Sequence, residues 1–283
     1  MKELEDGAPR VTLDTFASPE GVRTPDDQPL SRKDLEDVYW RCKTFDSGYV
    51  LAYVAQQVFD ALPPTATLSI RTSQGYDVTC APKDTTVAEI AVLAREPCMH
   101  VVLDGEQNLS GFDGPLPWIW LFLGAPESEK PDIDTRAVLD LGLAQLGGHG
   151  SGGEHFALER GVHYLDVVLN RFAVDLGGDL KLSHKITLSP PVVRAHGDAV
   201  KAMVLQRLAK VAGGNDQFCR HCGKDEITLL CSRCKKAYFC KECLNQGWKY
   251  HKRWCHPPPT NAMEGGREKE EGNLEVTEGT SVA

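Results

Sequence analysis

Cys219-x2-Cys222-x8-Cys231-x2-Cys234-x5-Cys240-x2-Cys243-x7-His251-x3-Cys255 is the stretch around which the rest of this chain is read. A zinc ion wants four soft or borderline ligands in a tetrahedron, and eight Cys and His residues supply two complete sets. Each Cys-x2-Cys pair forms a tight knuckle from which both sulfurs can reach one ion. His251 and Cys255 are four residues apart, so on a helix they share a face. Buried reduced cysteines would have no reason to pair at knuckle spacing. The spacing leaves open which four ligands share an ion, since sequential and interleaved pairings both satisfy it.

Seven of the ten cysteines fall within this segment. The N-terminus, Met1-Lys-Glu-Leu-Glu-Asp-Gly, lacks the apolar stretch of a secretory signal. The most apolar run, Trp118-Ile-Trp-Leu-Phe-Leu123, is far shorter than the roughly 20 residues that span a bilayer. The expectation is an intracellular protein, nuclear or cytoplasmic and not secreted, in which thiols stay reduced. Clustered cysteines there mean metal rather than disulfides.

Working outward, residues 1–30 are rich in Asp, Glu, Pro and Thr and read as a disordered acidic arm. A domain of mixed α+β class is expected over 31–213, the finger over 218–256, and a disordered acidic tail over 257–283. Ser31-Arg-Lys-Asp34 resembles a capping box and opens a helix through Leu35, Val38, Tyr39 and Cys42. Val50, Val54 and Val58 mark a second helix that stops before Pro63-Pro64. Leu68 to Arg71 and Tyr76 to Cys80 alternate around Ser73-Gln-Gly75, which predicts a β-hairpin. Asp84-Thr-Thr predicts a short helix with Val87, Ile90 and Leu93 inward, followed by a strand at His100 to Leu103. Hairpin, helix and strand in this order resemble the β-grasp fold of ubiquitin-like proteins. Thr135 to Leu146 and Phe156 to Leu176 predict helices on either side of Gly147 to Gly153. A last helix from Asp198 to Val211 places Val200, Met203, Val204, Leu208 and Val211 on one face, and Ala212 to Asp216 reads as a hinge.

Cys231-Ser-Arg-Cys-Lys-Lys-Ala-Tyr-Phe-Cys240 followed by Trp248-Lys-Tyr-His251-Lys-Arg-Trp-Cys255 resembles a MYND-type zinc finger. The resemblance implies a cross-brace in which Cys219, Cys222, Cys240 and Cys243 hold one zinc ion. Cys231, Cys234, His251 and Cys255 then hold the other. It also implies a protein or peptide partner, with Trp248 at the contact face. The family usually spaces its fifth and sixth ligands as Cys-x3-Cys, one residue longer than Cys240-x2-Cys243. If Cys243 opens a helix, ligation survives with an adjusted entry angle. Leu244 stands where many peptide-binding members carry Gln.

The formal charge of −9 argues against bulk nucleic-acid binding, although Cys219 to Cys255 carries nine Lys and Arg against three Asp and Glu. Seven thiolates and two zinc ions add −3 locally, which those cations offset. His155, Glu159 and His163 recur every four residues beside the glycine run, and with His149 are weighed as a metal or acid–base site. The run lacks the Lys-Ser/Thr of a phosphate loop and reads more simply as a flexible link. Cys42, Cys80 and Cys98 read as core, as do Trp40, Trp118 and Trp120. No Asn-His-Ser/Cys motif of a SET-type methyltransferase is present. All eight zinc ligands are protein atoms, so both ions are structural and the reading leans away from an enzyme. The alternative is an activity housed in 31–213 with the finger as its recruitment arm.

Overall fold

The computed structural model describes residues 26–43, 47–95, 99–103, 106–110, 115–124, 133–186, 191–225 and 227–257. The acidic arm and the acidic tail lie almost wholly outside these residues, as does Cys98.

Helix α1 (Arg32–Lys43) starts where the capping box expects it. Ser31 Oγ accepts from the Asp34 amide at 3.2 Å and donates to the Asp34 carboxylate at 2.5 Å. Helix α2 (Gly48–Asp60) follows and ends ahead of the two prolines. Strands β1 (Leu68–Arg71) and β2 (Asp77–Cys80) form the hairpin, with Leu68 opposite Cys80 and Gly75 at φ 78° in the turn.

Beyond this point the local pattern misleads. Thr85–Ala94 is not a helix but strand β3, and it lies second from the edge of a five-stranded antiparallel sheet. With no helix there, the β-grasp resemblance falls. Strands β4 (Met99–Leu103) and β5 (Glu106–Ser110) make a separate hairpin. Strand β6 (Leu116–Leu123) is central to the sheet, flanked by β3 and by β7 (Ala137–Asp140), with β8 (Ala157–Arg160) and β9 (Ala173–Ser183) at the edges in the order β8-β7-β6-β3-β9.

The helix expected over 135–146 is therefore β7 followed by a 3-10 turn, Leu143–Leu146. The helix expected over 156–176 divides into β8, an irregular helical stretch and the start of β9. That stretch begins with α3 (Gly161–His163) and continues through Tyr164–Val168 and Leu169–Arg171.

The sheet is buried on both faces, which erases the polar–apolar alternation of a one-sided strand. On one face, α2 covers Val87, Ile119, Leu121, Leu123 and Ala137. On the other, Ala88, Ile90, Val92, Trp118, Trp120 and Phe122 pack under Leu143, Leu146, Tyr164, Val168 and Leu169. Buried Asp140 accepts from Tyr164 Oη at 2.7 Å, Trp118 Nε1 at 3.1 Å and the Gly142 amide at 2.8 Å. Burial pushes its carboxyl up to about 6, against those donors.

Helix α4 (Pro191–Ala212) is longer than its apolar period suggests. Val204 and Leu205 meet Tyr53, Val54 and Val58 of α2, and Tyr53 Oη donates to Asp198 at 3.2 Å. Of the apolar residues expected to share one face, Val200, Met203, Leu208 and Val211 are exposed. Gly214, at φ 80°, turns the chain out of the helix toward the cysteine-rich segment. Among the described residues, no helix is long and apolar enough to cross a membrane.

Candidate metal centre

Two knuckles are built alike. In each, the residue after the second cysteine donates its amide to the carbonyl of the first: Gly223 to Cys219 at 2.9 Å and Lys235 to Cys231 at 3.0 Å. Both residues sit at positive φ, 76° and 56°, which glycine adopts freely and lysine at a cost. The Tyr238 backbone lies between them, bridging to Cys219 on one side and to Leu230 on the other. Its carbonyl accepts from the Arg220 amide at 2.9 Å. This pairing draws the knuckles together and turns Phe239 and Cys240 inward. Lys241–Cys243 then makes one 3-10 turn, and Cys243 caps helix α5 (Leu244–Trp254). The shorter Cys240-x2-Cys243 spacing is accommodated by that turn.

The ligand atoms gather in two interleaved groups. Cys219, Cys222, Cys240 and Cys243 form one, and Cys231, Cys234, His251 and Cys255 the other, with all atoms of a group within 4.8 Å of one another. A zinc tetrahedron with bonds of about 2.3 Å to sulfur has S···S edges of about 3.8 Å, and S···N edges near 3.5 Å. The observed edges are 3.8 Å for Cys222–Cys240, 3.7 Å for Cys231–Cys255 and 3.4 Å for Cys234 Sγ to His251 Nε2. The donor sets fit two zinc ions, each enclosed by four protein ligands with no position left for water or substrate.

Electrostatics agree with that occupancy. Burial pushes the Cys219 thiol up, but backbone hydrogen bonds from Cys222, Cys240 and His221 bring it down to about 6. Burial and the neighbouring Cys231 and Cys234 raise Cys255 to about 11. Crowded thiolates resist ionising until a divalent cation sits among them, which inverts the local balance. Burial, with Arg220 nearby, lowers His251 below the usual imidazole value and favours the neutral, metal-binding form.

The finger's own apolar core is small: Ile227, Ala237 and Phe239 with the ligands themselves. Gly247 lets α5 lie directly on the Phe239 ring, a contact that sequence spacing does not signal. A Cβ at Gly247 would stand 2.6 and 2.7 Å from two atoms of that ring. Gly247→Ala should therefore weaken the finger, because overpacking costs about 1–3 kcal/mol against ~1 kcal/mol of helix propensity gained. Titration with a competing chelator should strip zinc from the variant at lower chelator concentration than from the wild type. Equal or tighter retention would show that Phe239 yields freely.

Trp248 is exposed on α5, and Leu244 one turn before it. The histidines weighed beside the glycine run do not share a helical face. Glu159, on β8, is buried and accepts from Ser73, from Gln74 and from the Ser151 amide at 2.8 Å. His163 meets Ser151 Oγ at 3.1 Å, while His149 and His155 lie elsewhere against α1. The glycine run reads as a link only in sequence, since Gly148 and Gly150 within it are buried. Trp118, Trp120 and Cys80 are core, whereas Trp40 is half-buried and Cys42 is exposed at the end of α1.

Residues 219–255 match the family model for the MYND finger, a module that in general mediates protein–protein interaction, and the N-terminal region is left unassigned. Human Egl nine homolog 1 is 50% identical over 40 residues, which cover 14% of this chain. The matched segment spans only 9% of that relative's length. No solved structure matches the chain.

Proposed function

We propose that this chain is an adaptor or regulatory protein whose MYND finger, at residues 219–255, binds a partner peptide or domain through the free side of α5. Both zinc sites are closed, so they organise a surface rather than activate a bond. The observation that carries the reading is the pair Leu244 and Trp248, 43% and 39% exposed on a helix whose neighbouring face is anchored by ligands. A large aromatic held half-exposed on a rigid support is the usual anchor of a protein contact. Lys252, one turn beyond Trp248, is also exposed, and the finger carries a threefold excess of cations over carboxylates. A partner segment with an apolar anchor beside acidic residues complements that surface.

Peptides selected from a random library on the zinc-loaded chain test this. Trp248→Ala should weaken their binding by roughly 30-fold or more, the ~2 kcal/mol of a hot-spot residue. Met203→Ala, an exposed change on α4, should leave it unchanged, and both variants should keep two zinc ions. Undiminished binding by Trp248→Ala would place the contact elsewhere.

A further inference from the structure

Helix α5 has a third side, and it is occupied. Lys249 Nζ lies 3.3 Å from Glu36 Oε1 on α1. Tyr250 Oη lies 3.1 Å from Nε2 of His155, in the glycine-rich loop. The His155 ring rests on Trp40 of α1, with centroids 4.3 Å apart and planes tilted by 33°. His149, 5.2 Å from His155, holds Asp37 of α1 at 2.8 Å. Two segments distant in sequence, α1 and residues 147–156, thus meet each other and α5 at one junction.

The junction is poorly satisfied from within. Among the described residues, six buried side-chain polar atoms lack a hydrogen-bond partner. Four belong here: Arg41 Nε, His149 Nδ1, Glu154 Oε1 and His155 Nδ1. Burial, reinforced by nearby His149, holds His155 down at about 4, so its ring is neutral near pH 7 and shares one hydrogen bond between Nε2 and the Tyr250 hydroxyl. Unpaired buried polar atoms favour opening, because each regains a partner in water. Contacts from α5 oppose that opening. The helix in turn depends on metal, since Cys243 caps it, His251 lies within it and Cys255 follows it.

We infer that α5 is a zinc-dependent latch on the N-terminal domain: with both ions bound, Tyr250 and Lys249 hold α1 and the glycine-rich loop closed. Loss of zinc releases them while the sheet stays folded. Neither main apolar cluster of the sheet includes Trp40, His149, His155 or Tyr250. The inference is independent of what binds Trp248.

Hydrogen exchange on the full chain tests it. On chelation, amides of α1 and residues 147–156 should exchange about tenfold faster, with β3 and β6 unchanged. Tyr250→Phe, which keeps two zinc ions, should accelerate the same segments by about fivefold, the worth of one hydrogen bond. Trp248→Ala, on the open side, should not. The latch is overturned if α1 and the loop keep their zinc-loaded rates on chelation. It is equally overturned if β3 and β6 accelerate alongside them, if Tyr250→Phe changes nothing, or if Trp248→Ala has the same effect.

Discussion

Chelation of zinc from this chain should unfold residues 218–256 while β3 and β6 keep their exchange protection. A module of about forty residues cannot bury enough apolar surface to fold alone. Here the deficit is plain, because Ile227, Ala237 and Phe239 are the only buried non-cysteine apolar side chains of its core cluster. Zinc supplies the difference, with apparent binding of roughly 10–16 kcal/mol in small fingers near neutral pH. The sheet draws on two apolar clusters of its own and on no zinc ligand. Elemental analysis should give two zinc ions per chain. Cys222→Ser should disturb Cys240, 3.8 Å away, and spare Cys234 in the other group. Acid should act in the same direction as chelator. His251 has its folded pKa below the ordinary value, so the folded form binds fewer protons there. Its contribution is complete above the unfolded imidazole pKa and is lost as pH falls through the lowered value. Protons displace zinc from the thiolates over the same descent. Retention of the finger's protection after complete zinc removal would mean that packing, not metal, holds it.

How much of this was legible in the sequence depends on how locally each feature is determined. The finger is legible because coordination ties ligands at fixed short spacings, so eight Cys and His residues and the gaps between them carry the reading. The capping box at Ser31 and the hairpin around Gly75 are legible for the same reason. Strand β3 is not, because Val87, Ile90 and Leu93 fall at a helical spacing while the sheet covers both of its faces. The segment 156–176 looks periodic only when one strand, an irregular helical stretch and the start of another strand are read as one element. Gly247 against Phe239, and His155 against Tyr250, join residues that no local pattern connects. They exist only once the chain has folded.

The largest single-residue effect in the N-terminal domain should come from Trp120. It is fully buried in central strand β6, 5.9 Å from the Phe122 ring at 77° and 5.2 Å from Tyr164. Trp120→Ala should cost about 3–5 kcal/mol, a third or more of what a typical domain has. Exposed Val174→Ala should stay within about 0.5 kcal/mol. A sharper comparison lies between two tryptophans of the same strand. Trp120 Nε1 is buried with no partner, so Trp120→Phe removes an unpaired donor along with ring volume. Trp118 Nε1 instead donates to Asp140 Oδ2 at 3.1 Å, and Asp140 is wholly enclosed. Trp118→Phe strips a donor from a buried carboxylate, which adds about 1–3 kcal/mol to the loss of volume. Both changes take away the same atoms, yet Trp118→Phe should lower the urea midpoint more, with zinc kept saturating so that only this domain is read. Equal midpoints would show that volume alone sets the stability of the sheet and that the Asp140 network contributes nothing beyond it.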